Sequence, residues 1–337
     1  MILLVTTEDS GFDRHSRAIE KALPKMPVFY SRRYFSPTEE EKLQVSFSML
    51  VDKLHITNQN FARYAGSLRF PYIVTVHDLI RNYHDYDGES QEDKILLRLD
   101  EHYIRKAAHI IAVSEATKKE VVERLGVPEN KVTVIYNGVD KETFFPSKKV
   151  HEVITMEKPY VLTVGSERPR KNLPKLLEAV QIVREDAGID LQLVKVGGGR
   201  SPAWKESFFR VAEVLKIPVR DMGVVPDHTL AALYRGASML VYPSLMEGFG
   251  FPPIEALCCE CPVVASDIPV LQEVLKNFVT YTDPWDAQSI AYGIEDVLQD
   301  PKRARAVAAK GGVFCQKYSW EKAAEKLLEV YSYVDSR

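Results

Sequence analysis

Short apolar runs rich in β-branched residues alternate with segments of helical period along almost all of the 337-residue chain. In the first half the apolar runs fall at 2–6, 28–30, 53–57, 72–77, 109–113 and 131–136, each of strand length. Between them the pattern predicts helices over 14–23, 95–108 and 117–125, the last closed by Gly126, a residue suited to the left-handed end of a helix. The second half repeats the scheme. Strands are predicted at 160–165, 191–196, 237–242 and 263–265, with another ending near 280–284. Helices are predicted at 173–183, 227–237 with Asp227 as N-cap, 252–259, near Val270, 287–298 and 302–318. A last helix starts from Ser319 as N-cap, with Trp320 and Leu328 on its apolar face. Strands alternating with helices give parallel, doubly wound sheets, so the fold class is α/β. Ligands of such sheets bind outside the carboxyl ends of the strands. Residues 141–158 carry no strong period and read as a linker between two domains.

Composition narrows the picture modestly. The length is comfortable for two domains, and 45% apolar with 27% charged residues is ordinary for a globular protein. A net charge of −3 gives no basic field for nucleic acid. No apolar run reaches transmembrane length, and the apolar start, Met1 to Val5, is expected to be a strand rather than a signal peptide. Cys258, Cys259 and Cys261 lack a fourth ligand or a neighbouring histidine, so they read as buried thiols and no metal site is expected. A cytoplasmic protein is expected, with at most peripheral membrane contact and the oligomeric state open.

The chemistry concentrates in YPSLMEGFGFPPIEALCCECP, 242–262, where Glu247 and Glu255 stand with seven residues between them. The layout is strand, glycine-bearing loop, helix. Gly248 and Gly250 permit unusual φ and close approach of a ligand to the backbone. Pro252 and Pro253 donate no N–H, so amides for an anion would come from Gly248, Phe249, Gly250 and Phe251, and from Ile254. Glutamates repel phosphate and accept from neighbouring hydroxyls, so the loop suits a ligand both anionic and polyhydroxylated, such as a nucleotide-sugar. A second signal is Arg168-Pro169-Arg170-Lys171-Asn172, which places cations before a helix N-terminus, where the dipole prefers anions. Asn137-Gly138 reads as a chain reversal in left-handed backbone.

These motifs resemble the retaining glycosyltransferases of family 4, whose GT-B fold sets two Rossmann-like domains across a cleft, with a last helix crossing back to the first. In that family a Glu, seven residues and a second Glu surround a GFG loop followed by an EA-rich helix; Glu247, Gly248, Phe249, Gly250, Glu255 and Ala256 hold those places. Glu260 stands where the family usually has Gly before the next strand. The resemblance implies an acceptor-binding domain over 1–145 with 319–337, and a donor-binding domain over 155–318. It implies that Arg170 and Lys171 hold the donor diphosphate, Glu247 the sugar hydroxyls and Glu255 the ribose. It places Gly197 of the Gly197-Gly198-Gly199 turn near the nucleotide, and Val224 and Val225 along the base pocket. The resemblance also implies that His77, of a TVHDL run, lies near the transferred sugar, with Asp78 fixing the loop or the ring. Gly11 is read equally as a capped turn or as an approach to the diphosphate. Ser114 caps the next helix.

The expected activity is therefore transfer of a hexose from a nucleoside diphosphate sugar to a hydroxyl of a sugar or lipid-linked glycan, with retention and without metal or further cofactor. The catalytic residues expected are Glu247, His77, Arg170 and Lys171. GDP-mannose is the favoured donor and UDP-glucose the next, because family members with HDL and RKN often use the former. A nucleotide-sugar epimerase of the same fold and a non-catalytic nucleotide-sugar-binding subunit remain as alternatives.

Overall fold

The structure, a computed structural model, describes residues 2–5, 11–23, 53–67, 71–83, 88–147, 160–186, 188–199 and 201–335. They fall into two compact units, one drawn from Met1–Gly138 and Tyr318–Arg337, the other from Val139–Lys317. The strand expected at 28–30 lies outside the described residues.

In the first unit the described strands are β1 (Ile2–Val5), β2 (Lys53–Ile56), β3 (Tyr72–Val76), β4 (His109–Ala112) and β5 (Val132–Val134). They pair in parallel in that order. β3 and β4 are buried at every position, as a sheet covered on both faces requires. The helices are α1 (Gly11–Ala22), the short α2 (Ile80–Tyr83), α3 (Gln91–Lys106) and α4 (Glu115–Leu125). Ser114 caps α4 by accepting from the Thr117 amide at 3.0 Å, and Gly126 ends it at φ 65°. The chain's last helix belongs to this unit. Its Ala323, Leu327, Val330 and Tyr331 bury against Ile19 of α1 and Ile73, Ile111 and Ile135 of the sheet region. Ser319 caps it through the Lys322 amide, 3.2 Å away.

The expectation for Asn137-Gly138 is corrected here, because neither residue adopts left-handed backbone. Gly138 is required by contact instead: a Cβ there would sit 2.3 Å from the amide nitrogen of Trp320.

The second unit carries β6 (Tyr160–Val164), β7 (Gln192–Val196), β8 (Val219–Asp221), β9 (Met239–Tyr242), β10 (Val263–Ser266) and β11 (Thr280–Thr282). The order is β11-β10-β9-β6-β7-β8, all parallel. The chain order thus reverses between β6 and β9, which lie side by side. Crossover helices are α5 (Leu173–Asp186), α6 (Pro202–Val214), α7 (Asp227–Gly236), α8 (Phe251–Cys258) and α9 (Pro269–Leu275), and β11 is followed by α10 (Ala287–Gln299) and α11 (Pro301–Cys315); the final helix, Trp320–Asp335, is α12. Pro226 rather than Asp227 takes the N-cap of α7. Part of the expected linker is tied to this unit: Phe144 is buried against Tyr234, and Arg235 stacks on Phe145 and donates to its carbonyl at 2.9 Å.

Candidate active site

The reversal between β6 and β9 marks, at their carboxyl ends, the position where open α/β sheets bind ligands. Two loops start there. After β6 the chain makes a 3₁₀ turn, Pro169–Lys171, ending at Asn172 with φ 56° and ψ 33°. Asparagine tolerates this left-handed conformation better than most residues. Its side-chain amide donates to the carbonyls of Pro243 at 3.1 Å and Pro284 at 2.6 Å, and the Leu245 amide donates to the Arg170 carbonyl at 2.8 Å. The cationic turn is therefore laced to the loop that leaves β9.

Those bonds bring Arg170, Lys171 and Glu247 together. The Lys171 ammonium donates to Oε1 of Glu247 at 2.5 Å, and Nη1 of Arg170 reaches Oε2 at 3.4 Å and the Met246 carbonyl at 3.2 Å. The Tyr242 hydroxyl, accepting from Lys171 at 2.9 Å, donates to Glu247 Oε1 at 2.7 Å. Lys171 also lies 4.9 Å above the Tyr242 ring. Burial alone would push the Glu247 carboxyl up; the charges of Lys171 and Arg170, with hydrogen bonds from Lys171 and Tyr242, outweigh it and hold the group at about 2. Burial and the neighbouring Glu247 push the Tyr242 hydroxyl well above its ordinary range, so it remains a donor. Cations ahead of a helix thus have a built-in counter-ion from the facing loop. The three charged side chains sum to one positive charge.

The glycine loop behaves in part as its sequence suggests. Gly250 takes φ 96° at the N-cap of α8, and a Cβ there would come within 2.8 Å of Leu271. Gly248 does not adopt positive φ. Phe249 is buried, with its ring 5.4 Å from that of Phe251. Glu255 is buried on α8, its carboxylate accepting from the Tyr234 hydroxyl at 3.1 Å. Glu260, standing in the family's glycine position, takes φ 57°.

Along the same edge, Gly197 has φ 105° and approaches so closely that a Cβ would lie 2.7 Å from the Gly165 carbonyl oxygen. Its amide donates to the Gly223 carbonyl at 2.7 Å. Val224 is 84% exposed beyond that turn and Val225 is half-buried. The turns after β6, β7 and β8 thus form one row.

His77 lies in the first unit, at the end of β3. Its Nε2 is 2.8 Å from the Thr57 carbonyl, which can only accept, so Nε2 carries the proton. Burial lowers the imidazole to about 4; the bond to Thr57 opposes the shift and His55 adds to it. His15 packs edge-on at 4.8 Å and is bonded through Nδ1 to Asn137 Oδ1 at 2.7 Å. Asp78 fixes the loop rather than the ring: its carboxylate accepts from the Ile80 amide at 3.1 Å. Gln59 completes the loop, accepting from the His77 amide at 3.1 Å and donating to the Asp78 carbonyl at 2.8 Å. Gly11 begins α1, and the loop before it lies outside the described residues. Sequence reasoning missed Tyr242, Asn172, Gln59, His15 and Asn137 as members of these sites. Of these, Asn172, inside the RKN motif, and Tyr242, at the head of the 242–262 stretch, carried a usable signal.

Comparison with known proteins identifies the family and the fold. The profile described as Glycosyl transferases group 1 matches residues 145–312, and that of Glycosyltransferase Family 4 matches 4–143. The chain belongs to this group of glycosyltransferases. The O-antigen chain mannosyltransferase RfbU of Salmonella typhimurium is 33% identical over 230 residues, which are 68% of this chain and 61% of the relative. The chain thus matches less than two thirds of that relative's length. Sucrose-phosphate synthase from Thermosynechococcus elongatus shares the fold with a TM-score of 0.81 at 21% identity, over 99% of each chain. Anabaena HepE, in complex with UDP and glucose, does so with a TM-score of 0.80 at 18% identity, over 98% of this chain and 99% of that one. The fold is GT-B in class, two parallel-sheet α/β units. Among the described residues no helix is long and apolar enough to cross a membrane.

Proposed function

We propose that this protein transfers a hexose, with retention, from a nucleoside diphosphate sugar to a hydroxyl of a glycan or lipid-linked glycan, forming an α-linkage. The observation that carries the reading is the Glu247 carboxylate held between Lys171 and Arg170 at the strand reversal. As the bond to the sugar breaks, charge grows on the leaving diphosphate. Lys171 and Arg170 are the groups placed to receive it, and donors of this kind are worth about 2.7–4 kcal/mol each in rate. The Gly248 to Phe251 amides add to them, so cationic side chains and amides do the work without metal. Glu247, held at about 2, is a fixed anion at neutral pH. It cannot donate a proton and is a weak base, which suits orienting sugar hydroxyls. The acceptor proton then passes to an oxygen of the leaving phosphate on the same face. His77, a neutral imidazole protonated on Nε2, orients sugar or acceptor, and Glu255 holds the ribose.

The name of the Salmonella relative favours a mannosyl donor, GDP-mannose, and an acceptor in polysaccharide assembly. The HepE complex keeps UDP-glucose second. Such acceptors place the protein in the cytoplasm with at most peripheral membrane contact. The test is release of GDP or UDP from the two donors across an acceptor panel, with the product anomer read by NMR and a chelator control. Acceptor-dependent release giving an α-product, unchanged by chelator, is expected. Donor conversion without acceptor would replace the reading with an epimerase. Binding without turnover would replace it with a binding subunit.

A further inference from the structure

A charged network that the chemistry above does not use lies under the glycine turn after β7. Lys195, the fourth residue of β7, has no exposed side-chain surface, and its ammonium lies 2.5 Å from Oε1 of Glu167, whose side chain is 1% exposed. Burying two charges costs several kcal/mol per ion, and apolar residues of similar volume are often as stable in such a place. Stability therefore does not account for the pair, but its bonds do. Lys195 donates to the Gly197 carbonyl at 2.6 Å, while the other oxygen of Glu167 accepts from the Gly199 amide at 2.9 Å. The turn is gripped at its first carbonyl and its last amide by opposite charges. On the far side, Lys195 is 3.5 Å from Asp221, which accepts from the Gly223 amide at 3.1 Å and pairs with Lys205 at 2.8 Å. The Gly223 carbonyl in turn accepts from the Gly197 amide at 2.7 Å. Glu167 itself sits on the loop that carries Arg170 and Lys171.

We propose that Glu167 and Lys195 are positioning residues for the donor: as a buried clamp they fix the 197–199 turn, and through it the Gly223 turn, at a set distance from the diphosphate cations. The inference rests on the donor reading given above and adds to it the residues that shape the nucleotide floor without touching the nucleotide. The clamp acts on where the nucleotide rests, so its loss falls on donor affinity and spares the acceptor and the chemical step.

The test uses the full chain, wild type and the double variant Glu167→Leu/Lys195→Met, titrated with GDP and with UDP by calorimetry and followed by steady-state kinetics. The double variant is expected to melt within a few degrees of wild type, while Lys195→Met alone, which strands a buried carboxylate, melts well below both. Nucleotide Kd and donor KM should rise about tenfold or more in the double variant, with kcat changed less than about threefold and acceptor KM unchanged. Gly199→Pro, which deletes the amide that donates to Glu167 and crowds its Oε2 with a Cβ 3.0 Å away, breaks the grip on the turn with both charged residues still present; it should weaken nucleotide similarly and supplies the answer if the double variant does not fold. Wild-type nucleotide affinity in either variant overturns the clamp, as does an equal loss of kcat and acceptor KM. A wild-type protein that takes neither nucleotide overturns the donor reading itself, and the clamp with it.

Discussion

The ammonium of Lys171 donates to the carboxylate of Glu247 at 2.5 Å, joining the loops that leave β6 and β9 where the sheet reverses its order. Removing the carboxylate's charge should therefore be felt in both stability and turnover. Glu247→Gln leaves two cations facing a neutral amide and is expected to lower turnover at least about a hundredfold, the scale of losing one electrostatic group at a reacting centre. The Glu247 carboxyl is held at about 2 against an ordinary 4.5. A depressed folded pKa stabilises above the ordinary value, and that contribution fades as pH falls from 4.5 through 2. It is on the order of 3 kcal/mol. Urea unfolding of both proteins should show a gap of that size at pH 7 that narrows toward pH 3. A gap independent of pH would deny the ion-pair origin.

Tyr242 should behave as the support of this pair. Tyr242→Phe keeps the ring under Lys171 and removes the hydroxyl that accepts from Lys171 and donates to Glu247. Losing one partner of buried polar groups costs about 1–3 kcal/mol, so the midpoint of denaturation should fall accordingly. Turnover should drop about tenfold while acceptor KM stays put. A variant as active as wild type would show that Lys171 and Glu247 hold their places without the phenol.

Glu260 offers a test away from the site. It occupies φ 57° after α8, a conformation that costs an L-residue roughly 1–2 kcal/mol and glycine little. Glu260→Gly should therefore raise stability by about 1 kcal/mol in urea. Gly250→Ala, at φ 96° with Leu271 in the way, should lower it by more than that. The same sign for both variants, or the two signs reversed, would contradict these backbone conformations.

The sequence pattern made the alternating architecture, the α12 cap at Ser319 and the cationic turn legible, because each depends on local spacing. The pairing of Lys171 with Glu247 was not legible, since the two stand 76 residues apart and meet only because β6 lies beside β9. The same holds for Glu167 with Lys195: a lysine inside an apolar run reads as an edge or an error until its buried partner is seen. Helix α6 escaped because Ser201 makes no side-chain cap and only Phe208 and Ala212 are buried along it. Asn137-Gly138 misled for a related reason. Its composition is that of a turn, but the glycine answers to the backbone of Trp320, far along the chain.

The first unit should be acid-sensitive well above the range where Glu247 matters. His15 and His55 are lowered by burial to about 3 and His77 to about 4, from an ordinary 6.5. All three are neutral in the folded protein at pH 6, while their unfolded counterparts bind protons below 6.5. Unfolding then takes up protons, so stability is full above 6.5 and falls as pH drops toward 4. Each histidine can contribute up to about 1.4 kcal/mol per pH unit in that window. Trp320, whose ring lies 5.4 Å from His15, reports on this region. In a Trp204→Phe/Trp285→Phe background, its fluorescence in urea should show midpoints that fall steadily from pH 7 to pH 5. Replacing His15 with Gln, which cannot take up a proton, should flatten that slope even if it lowers stability at pH 7. An unchanged slope would mean that His15 is protonated in the folded unit, contrary to its burial against His77 and Asn137.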